Sequence, residues 1–448
     1  MTVAQHVSLP LVREESCDVL VIGAGPAGFS AAISAARRGC KTMLIERQAS
    51  AGGAMVLGMN LTPVGYEPFK YWSKNTDPAS FAVQGIAREL YDAMVAERAV
   101  IKPVWDGETA KWLIDKLLQQ AGVTTLFHTN LVDAWLENDA VVGAIVLARD
   151  GLWRIRAGVS VDCSGDGDLF AKAGADFHIG RESDGRTQPM ALVAMLGGLQ
   201  LNLPDDVDFA GWMQLTKQQV GPQLDAAWQS GLIPPTFAGI LFPRVVRGGV
   251  LKDQAWARLV PQWIDPLDPR ALAMAEMTAR DNLQRIVDFL RKEVAGCENA
   301  VVLHTSSSLW ARSSRRLVGL VEMHEDDIST NRKRDDAIAR GTGFLEVHSA
   351  TPGNPRPEAG YEWARKASLI DADVDYDIAY GCLIPQKIDG LLVAGRCVSA
   401  THLAQSSLRM QITCMAMGQA AGIAAALSIL MDISPRELPI GALQAALP

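Results

Sequence analysis

The chain has no CxxC pair. Its seven cysteines are scattered through 448 residues. A redox dithiol, an iron–sulfur array and a zinc ribbon all need clustered thiolates, so none is encoded. An odd, dispersed set suits a reducing compartment, and a cytoplasmic location is expected. HExxH and a clustered His/Asp set are missing too, so no metal is expected. Basic residues are not in excess: 42 Lys and Arg face 50 Asp and Glu, a formal net charge of −8. With no long basic run, nucleic acid is not expected as a partner. The opening MTVAQHVSLPLVREESC lacks the basic start and apolar core of a secretory signal. One apolar run, CMAMGQAAGIAAALSILM, is long enough to suggest a membrane span. Ala and Gly dominate it and Gln419 interrupts it, so it reads as a tightly packed interior helix and no span is expected. No internal repeat is present.

What is there is a soluble-type composition, 48% apolar and 21% charged. The length suits two or three lobes. DVLVIGAGPAG places Gly23, Gly25 and Gly28 after an apolar strand and before a helix. The first glycine makes the turn, the second lets backbone approach a pyrophosphate, and the third lets helix and strand close up. Ala27 and the alanines after it let that helix lie near a sheet. Glu46 ends the second strand, where an acid binds a ribose diol and repels a 2′-phosphate. A second pair, Gly52-Gly53, follows in ERQASAGGAMVLGMN, where another βα unit would otherwise stand. There is no second G-x-G-x-x-G, so no separate nicotinamide domain is expected.

Short alternating strands follow from Thr124 to Cys163. The region from Asp176 to Asp375 breaks the βα pattern, with a long helical segment from Arg270 to Val294. Strand, loop and helix return at GLLVAGRCVSATH. The reading is a discontinuous nucleotide domain, 16–175 and 376–432, with an inserted substrate or cap domain, 176–375.

The segments VDCSGDGDLFAKAGADFHIGRESDGRTQPMAL, ARSSRRLVG and LLVAGRCVSATHLAQSSLRMQITCMAMGQAAGIAAAL carry a resemblance. With the glycine loops, they are similar to the FAD-dependent oxidoreductase family, two-dinucleotide-binding-domain flavoproteins related to the fumarate-reductase and thiazole-synthesis flavoproteins. The resemblance implies an α/β fold: a Rossmann-like, glutathione-reductase-type FAD-binding domain with an inserted α+β domain. It implies FAD, held non-covalently. By that resemblance Gly23, Gly25, Ala27, Gly28, Glu46 and Arg47 hold the ADP half. Gly52 and Gly53 lie along the pyrophosphate and flavin. Leu131 offers backbone groups to adenine. Ser164, Gly165 and Asp166 lie near the pyrophosphate and ribityl chain. Gly395 and Arg396 form the second loop, and Gln411, within Arg409–Thr413, approaches the flavin pyrimidine.

For the chemistry, His402 is an acid/base candidate, because imidazole titrates near neutrality. Arg312 and Arg315 in ARSSRR, and Arg409, are candidate clamps for a carboxylate or polar oxygen. The expected function is hydride transfer between a small polar organic substrate and flavin, by a dehydrogenase or oxidase. A monooxygenase, a fumarate-reductase-like alkene reductase and a non-enzymatic FAD-fold binding protein are the alternatives. The electron acceptor stays open, as does homo-oligomerisation.

Overall fold

The computed structural model describes residues 10–59, 84–101, 104–201, 209–236, 241–341, 345–354 and 376–448. The apolar run before the first glycine loop forms the strand Leu11–Ile22, buried from Val19 onwards. Thr42–Ile45 lies parallel on one side of it and Gly151–Asp162 on the other. Thr124–Leu126 extends the sheet beyond Thr42–Ile45. The strand Gly151–Asp162 then forks. Its first half pairs antiparallel with Ala140–Ala148, which carries Asn130–Glu137 at the edge. Its last three residues take Leu391–Val393, parallel, from the far end of the chain. A parallel sheet flanked by helices is the Rossmann-like α/β fold.

Two helices fix the glycine loop. Pro26–Ala36 starts with proline at its first turn and Gly25 as N-cap. It packs against the long C-terminal helix Gln411–Met431. Gly418 and Gly422 stand one turn apart on that helix. A Cβ on them would lie 2.0 Å from the Ala27 carbonyl oxygen and 2.1 Å from that of Ala31. The two backbones therefore touch, and only glycine fits. The helix is long and apolar enough to cross a membrane, yet most of it is buried against protein. A third helix, Gly107–Ala121, is amphipathic as expected. Asp106 caps its start through the Glu108 and Thr109 N–H groups, and Gly122 ends it in the left-handed region.

A second, antiparallel sheet runs in the order Leu241–Val246, Gly249–Gln262, Met190–Gly197, Val301–Thr305. Its two faces differ by alternation. Ala255, Ala257 and Leu259 join a core with the helix Pro269–Glu293, whose Ala275, Ala279, Leu283, Ile286 and Leu290 form one apolar stripe. Trp256 points the other way, among Met59, Val104, Val193 and Met195. Met323, Ile328, Ile338 and Leu345 pack instead in the core around the glycine-loop helix. The expected insert, 176–375, thus contributes to both cores.

Candidate functional site

The first glycine loop is built by contacts a side chain would destroy. Gly23 has φ +90°, and a Cβ there would stand 2.7 Å from the Cys163 carbonyl oxygen. A Cβ on Gly28 would stand 1.7 Å from the Gly23 oxygen, so the third glycine seats the helix under the turn. Gly25 is different. Its φ of −64° suits any residue, and a Cβ there would meet nothing within 4 Å. The open space is a cavity. Gly53, at φ +50°, brings the second glycine pair against it, its own Cβ direction ending 2.9 Å from the Gly25 Cα. Glu46 is anchored at the rim: Oε2 accepts the Ala24 N–H and Oε1 the Gln48 N–H, each at 2.8 Å. Each oxygen keeps a second lone pair for a ribose hydroxyl.

The second loop is organised from below by Asp162, which the sequence reading did not single out. It is fully buried at the end of its strand. Its Oδ1 accepts the Ser164 N–H, and its Oδ2 the Leu169 and Phe170 N–H groups at a helix start. The SGDGD turn is thereby fixed. Arg396 reaches into that turn. Its guanidinium donates to Asp166 Oδ1 at 2.7 Å, and the Ser314 hydroxyl donates to the same oxygen at 2.7 Å. Burial pushes the Asp166 carboxyl up, but Arg396 and Ser314 outweigh it and hold it below the usual range. The basic residue of the second glycine loop is therefore one half of an ion pair, and its acid comes from the middle of the chain.

The two loops line one cavity of about 760 Å³, within the usual range for ligand sites. It runs past Glu46 and Gln48, over Gly25 and Gly53, along Gly165 and Arg396, to Gln411 and Cys414. Gln411 opens the long C-terminal helix, so its unpaired N–H groups and positive end are presented there. The cavity continues between Met190, Trp256, Arg258, Trp310, Glu346 and Arg409. A glycine cradle with an anchored acid, a helix N-terminus and an ion-paired loop fits a flavin dinucleotide.

Of the residues expected at the cofactor, Gly23, Gly25, Ala27, Glu46, Arg47, Gly53, Ser164, Gly165, Asp166, Gly395, Arg396 and Gln411 all line the cavity. Gly28 lies beneath the turn, and Gly52 lies behind Gly53 against Val56. Leu131 does not line it. Leu131 sits in an edge strand and packs on the core side of the sheet. Of the residues expected in the chemistry, only Arg409 reaches the cavity. Arg312 is fully buried behind the wall, 4.7 Å from the Trp310 ring centroid, and donates to the Pro189 carbonyl. Arg315 braces the SGDGD turn through the Asp166 carbonyl and Asp168.

His402 is displaced from its expected place as well. Thr401 caps the helix His402–Leu408, and His402, its first residue, is buried. Its backbone N–H donates to Glu182, and its Nδ1 has no partner among the described residues. Burial, then the nearby Arg316, push its pKa down to about 4. Between roughly pH 6.5 and 4 the unfolded chain takes up this proton and the folded chain does not. This contribution to stability is complete above pH 6.5 and is lost as pH falls. His402→Asn should flatten that acid limb of a thermal-unfolding pH series, a difference on the order of 3 kcal/mol at pH 4. An unchanged limb would show that His402 is not buried neutral.

The far end of the cavity holds groups that carried no motif. The Arg409 guanidinium donates to the Glu346 carbonyl at 2.8 Å and to its Oε2 at 3.1 Å. His348 Nε2 lies 3.3 Å from Glu346 Oε1, and Arg258 lies 4.0 Å from the same oxygen. Burial works against the Glu346 charge, but His348, Arg409 and Arg258 outweigh it and hold the carboxyl well below its usual range. Burial and Arg312 push His348 down to about 3, so it is a neutral imidazole. The alternation in AWARLV is the one local signal here, since it puts Trp256 and Arg258 on one face of a strand.

Digeranylgeranylglycerophospholipid reductase 2 of Methanopyrus kandleri is 31% identical over 33% of this chain and 37% of its own length. Thiamine thiazole synthase of Aeropyrum pernix is 30% identical over 29% of this chain and 43% of its own. These matches span about two fifths of those relatives. A geranylgeranyl bacteriochlorophyll reductase-like protein from Thermoplasma acidophilum aligns over 96% of this chain and 83% of its own, at 13% identity and a TM-score of 0.47. The family model for FAD dependent oxidoreductases matches residues 18–447. With that match across nearly the whole chain, and with a cradle that fits the dinucleotide, the protein belongs to the FAD dependent oxidoreductase family and uses FAD as its cofactor.

Proposed function

We propose that this oxidoreductase is a dehydrogenase or oxidase that moves hydride between a small polar organic substrate and FAD. What supports this is the continuity of the cavity: the dinucleotide cradle opens directly into a polar end under the second sheet. When bound, the flavin supplies the hydride chemistry, and the protein supplies position and charge. Gly25 and Gly53 clear room for the pyrophosphate. Glu46 takes the ribose. The N-terminus of Gln411–Met431 places partial positive charge at the middle of the cavity. Arg409, held by Glu346, and Arg258 orient the substrate, with Trp256 and Trp310 as walls. FAD attachment is non-covalent in this reading. Cys163 and Cys414 line the cavity, but burial pushes the Cys414 thiol up to about 12 and Cys163 well above its usual value. Neutral thiols are poor nucleophiles.

The test is anaerobic. The purified yellow protein should bleach on addition of a member of a panel of 2-hydroxy acids, amines and sugar alcohols. The oxidant that restores the colour, whether oxygen, a quinone, NAD(P)⁺ or a partner protein, names the electron acceptor. Bleaching by dithionite but by no organic donor overturns the reading. NAD(P)H consumption that depends on an organic substrate, with oxygen entering the product, identifies a monooxygenase instead.

A further inference from the structure

Five consecutive residues, Ser307 to Ala311, line the cavity. They follow the strand Val301–Thr305 and form a strap between the second sheet and the cofactor cradle. Both ends of the strap are tied to the sheet. The Ser306 N–H donates to the Val193 carbonyl at 2.8 Å, and Trp310 exchanges two backbone hydrogen bonds with Ala191, at 2.9 and 3.1 Å. The middle is tied elsewhere. The Ser307 N–H and hydroxyl both donate to the Leu57 carbonyl, at 3.1 and 3.2 Å. Leu57 in turn closes the Gly53 turn, donating its own N–H to the Gly53 carbonyl at 2.8 Å. The strap is thereby fastened to the glycine pair that borders Gly25.

The remaining tie is a side chain. Leu309 is buried, and its N–H donates to Glu276 Oε1 at 2.6 Å. Glu276 comes from the helix Pro269–Glu293. Leu272 and Glu276 stand one turn apart there and both line the cavity, beside the apolar stripe. The other oxygen, Oε2, pairs with Arg280, one turn further on, at 3.0 Å. A carboxylate on a buried N–H makes a strong hydrogen bond, and leaving that N–H without an acceptor is costly. The ties to the sheet use backbone and come with the fold, whereas this one depends on a single carboxylate.

We infer that Glu276 is a positioning residue for the cofactor: it holds Leu309, and through the strap and Leu57 it steadies the glycine pair at the dinucleotide and slows release of FAD. Contacts run without a break from helix to strap to cradle. If Leu309 lets go, the strap loosens at Ser307, and the Gly53 turn loses its outer tether. This rests on the placement of FAD over Gly25 and Gly53, and it is independent of the substrate.

The experiment uses the FAD-loaded protein. Release of FAD after dilution is followed by the growth of free flavin fluorescence, beside the melting temperature of each variant. Glu276→Leu cannot accept the Leu309 N–H and should release FAD about tenfold faster. Glu276→Gln keeps an oxygen for Leu309 and should stay within about twofold of wild type. Leu290→Ala removes a buried side chain about four turns along the same helix. It should lower the melting temperature and leave release unchanged. Unchanged release from Glu276→Leu overturns the inference. So does release from Glu276→Gln as fast as from Glu276→Leu, or from Leu290→Ala as fast at an equal loss of melting temperature. If Glu276→Leu fails to fold, Ser307→Ala decides. Ser307 is exposed and its hydroxyl is one of two ties to Leu57, so its loss should speed release about threefold, and no change overturns the inference. Full flavin retention by Gly25→Ala would remove the placement of FAD and this inference with it. Flavin loss by Gly25→Ala, with unaltered release from Glu276→Leu, removes this inference alone. A protein reduced by no organic donor loses the dehydrogenase reading and keeps this one.

Discussion

Gly25→Ala should give a folded protein without FAD. The backbone at Gly25 is not strained, with φ −64°. An added methyl meets no protein atom within 4 Å. Folding therefore loses only what alanine gives up to glycine at a helix start, below about 1 kcal/mol. The methyl instead enters the cavity at the place where the glycine cradle admits a pyrophosphate. The Kd for FAD should rise about 10- to 100-fold, or roughly 1.4 to 2.8 kcal/mol. The measurements are the ratio of flavin to protein absorbance after purification and the melting temperature of the two apoproteins. Full flavin retention would show that the pyrophosphate lies elsewhere. A collapse of the apoprotein melting temperature would show that the space is not open.

Gly418→Ala should fail in the opposite way, losing the fold and with it the cofactor. Its new Cβ would stand 2.0 Å from the Ala27 carbonyl oxygen, a backbone atom in the first turn of the facing helix. A flexible side chain could swing aside, but this atom cannot. One helix must move away along its length, which opens the packing at Gly422 and Ala31 as well. Overpacking of this kind costs about 1–3 kcal/mol and more where backbone is rigid. The usual gain of alanine over glycine in a helix, about 1 kcal/mol, is smaller. Gly441→Ala is the control, because a Cβ there meets nothing within 4 Å. The control should melt at or above the wild-type temperature. Gly418→Ala should melt several degrees lower or be insoluble. A variant as stable as the control would mean that the two helices are not in backbone contact.

The parts of the site legible in the sequence are those that lie close along the chain. Gly23, Gly25 and Gly28 belong to one turn, and Glu46 ends the adjacent parallel strand, so spacing alone aligns them. The apolar C-terminal helix was legible as packing because Ala and Gly dominate it and Gln419 interrupts it. Leu131 lies outside the cavity. The backbone that passes Glu46 and Gln48 is at His128 and Thr129, whose N–H groups donate to those residues, and the next strand turns Leu131 to the core. His402 follows the second loop in sequence but lies outside the cavity, buried at the start of the helix that Thr401 caps through the Ala404 N–H. Glu346 and His348 lie in a segment with no periodic pattern. They matter only because Arg409 and Arg258, from a distant helix junction and a bulged strand, converge on them. Asp166 was expected near the cofactor, but its partnership with Arg396 joins two elements that sequence spacing cannot relate.

That partnership spans 230 positions, and the contact of Ala27 with Gly418 spans still more. Synthesis runs from the N-terminus, so the nucleotide loop leaves the ribosome long before the helix Gln411–Met431 exists. Until then the face formed by Ala27 and Ala31 lacks Gly418 and Gly422, and Asp166 lacks Arg396. A nascent chain of this design cannot retain its dinucleotide early. It must keep a sticky helix face shielded until the helix Gln411–Met431 is released. Completion of the cofactor site then waits for the release of Gln411–Met431.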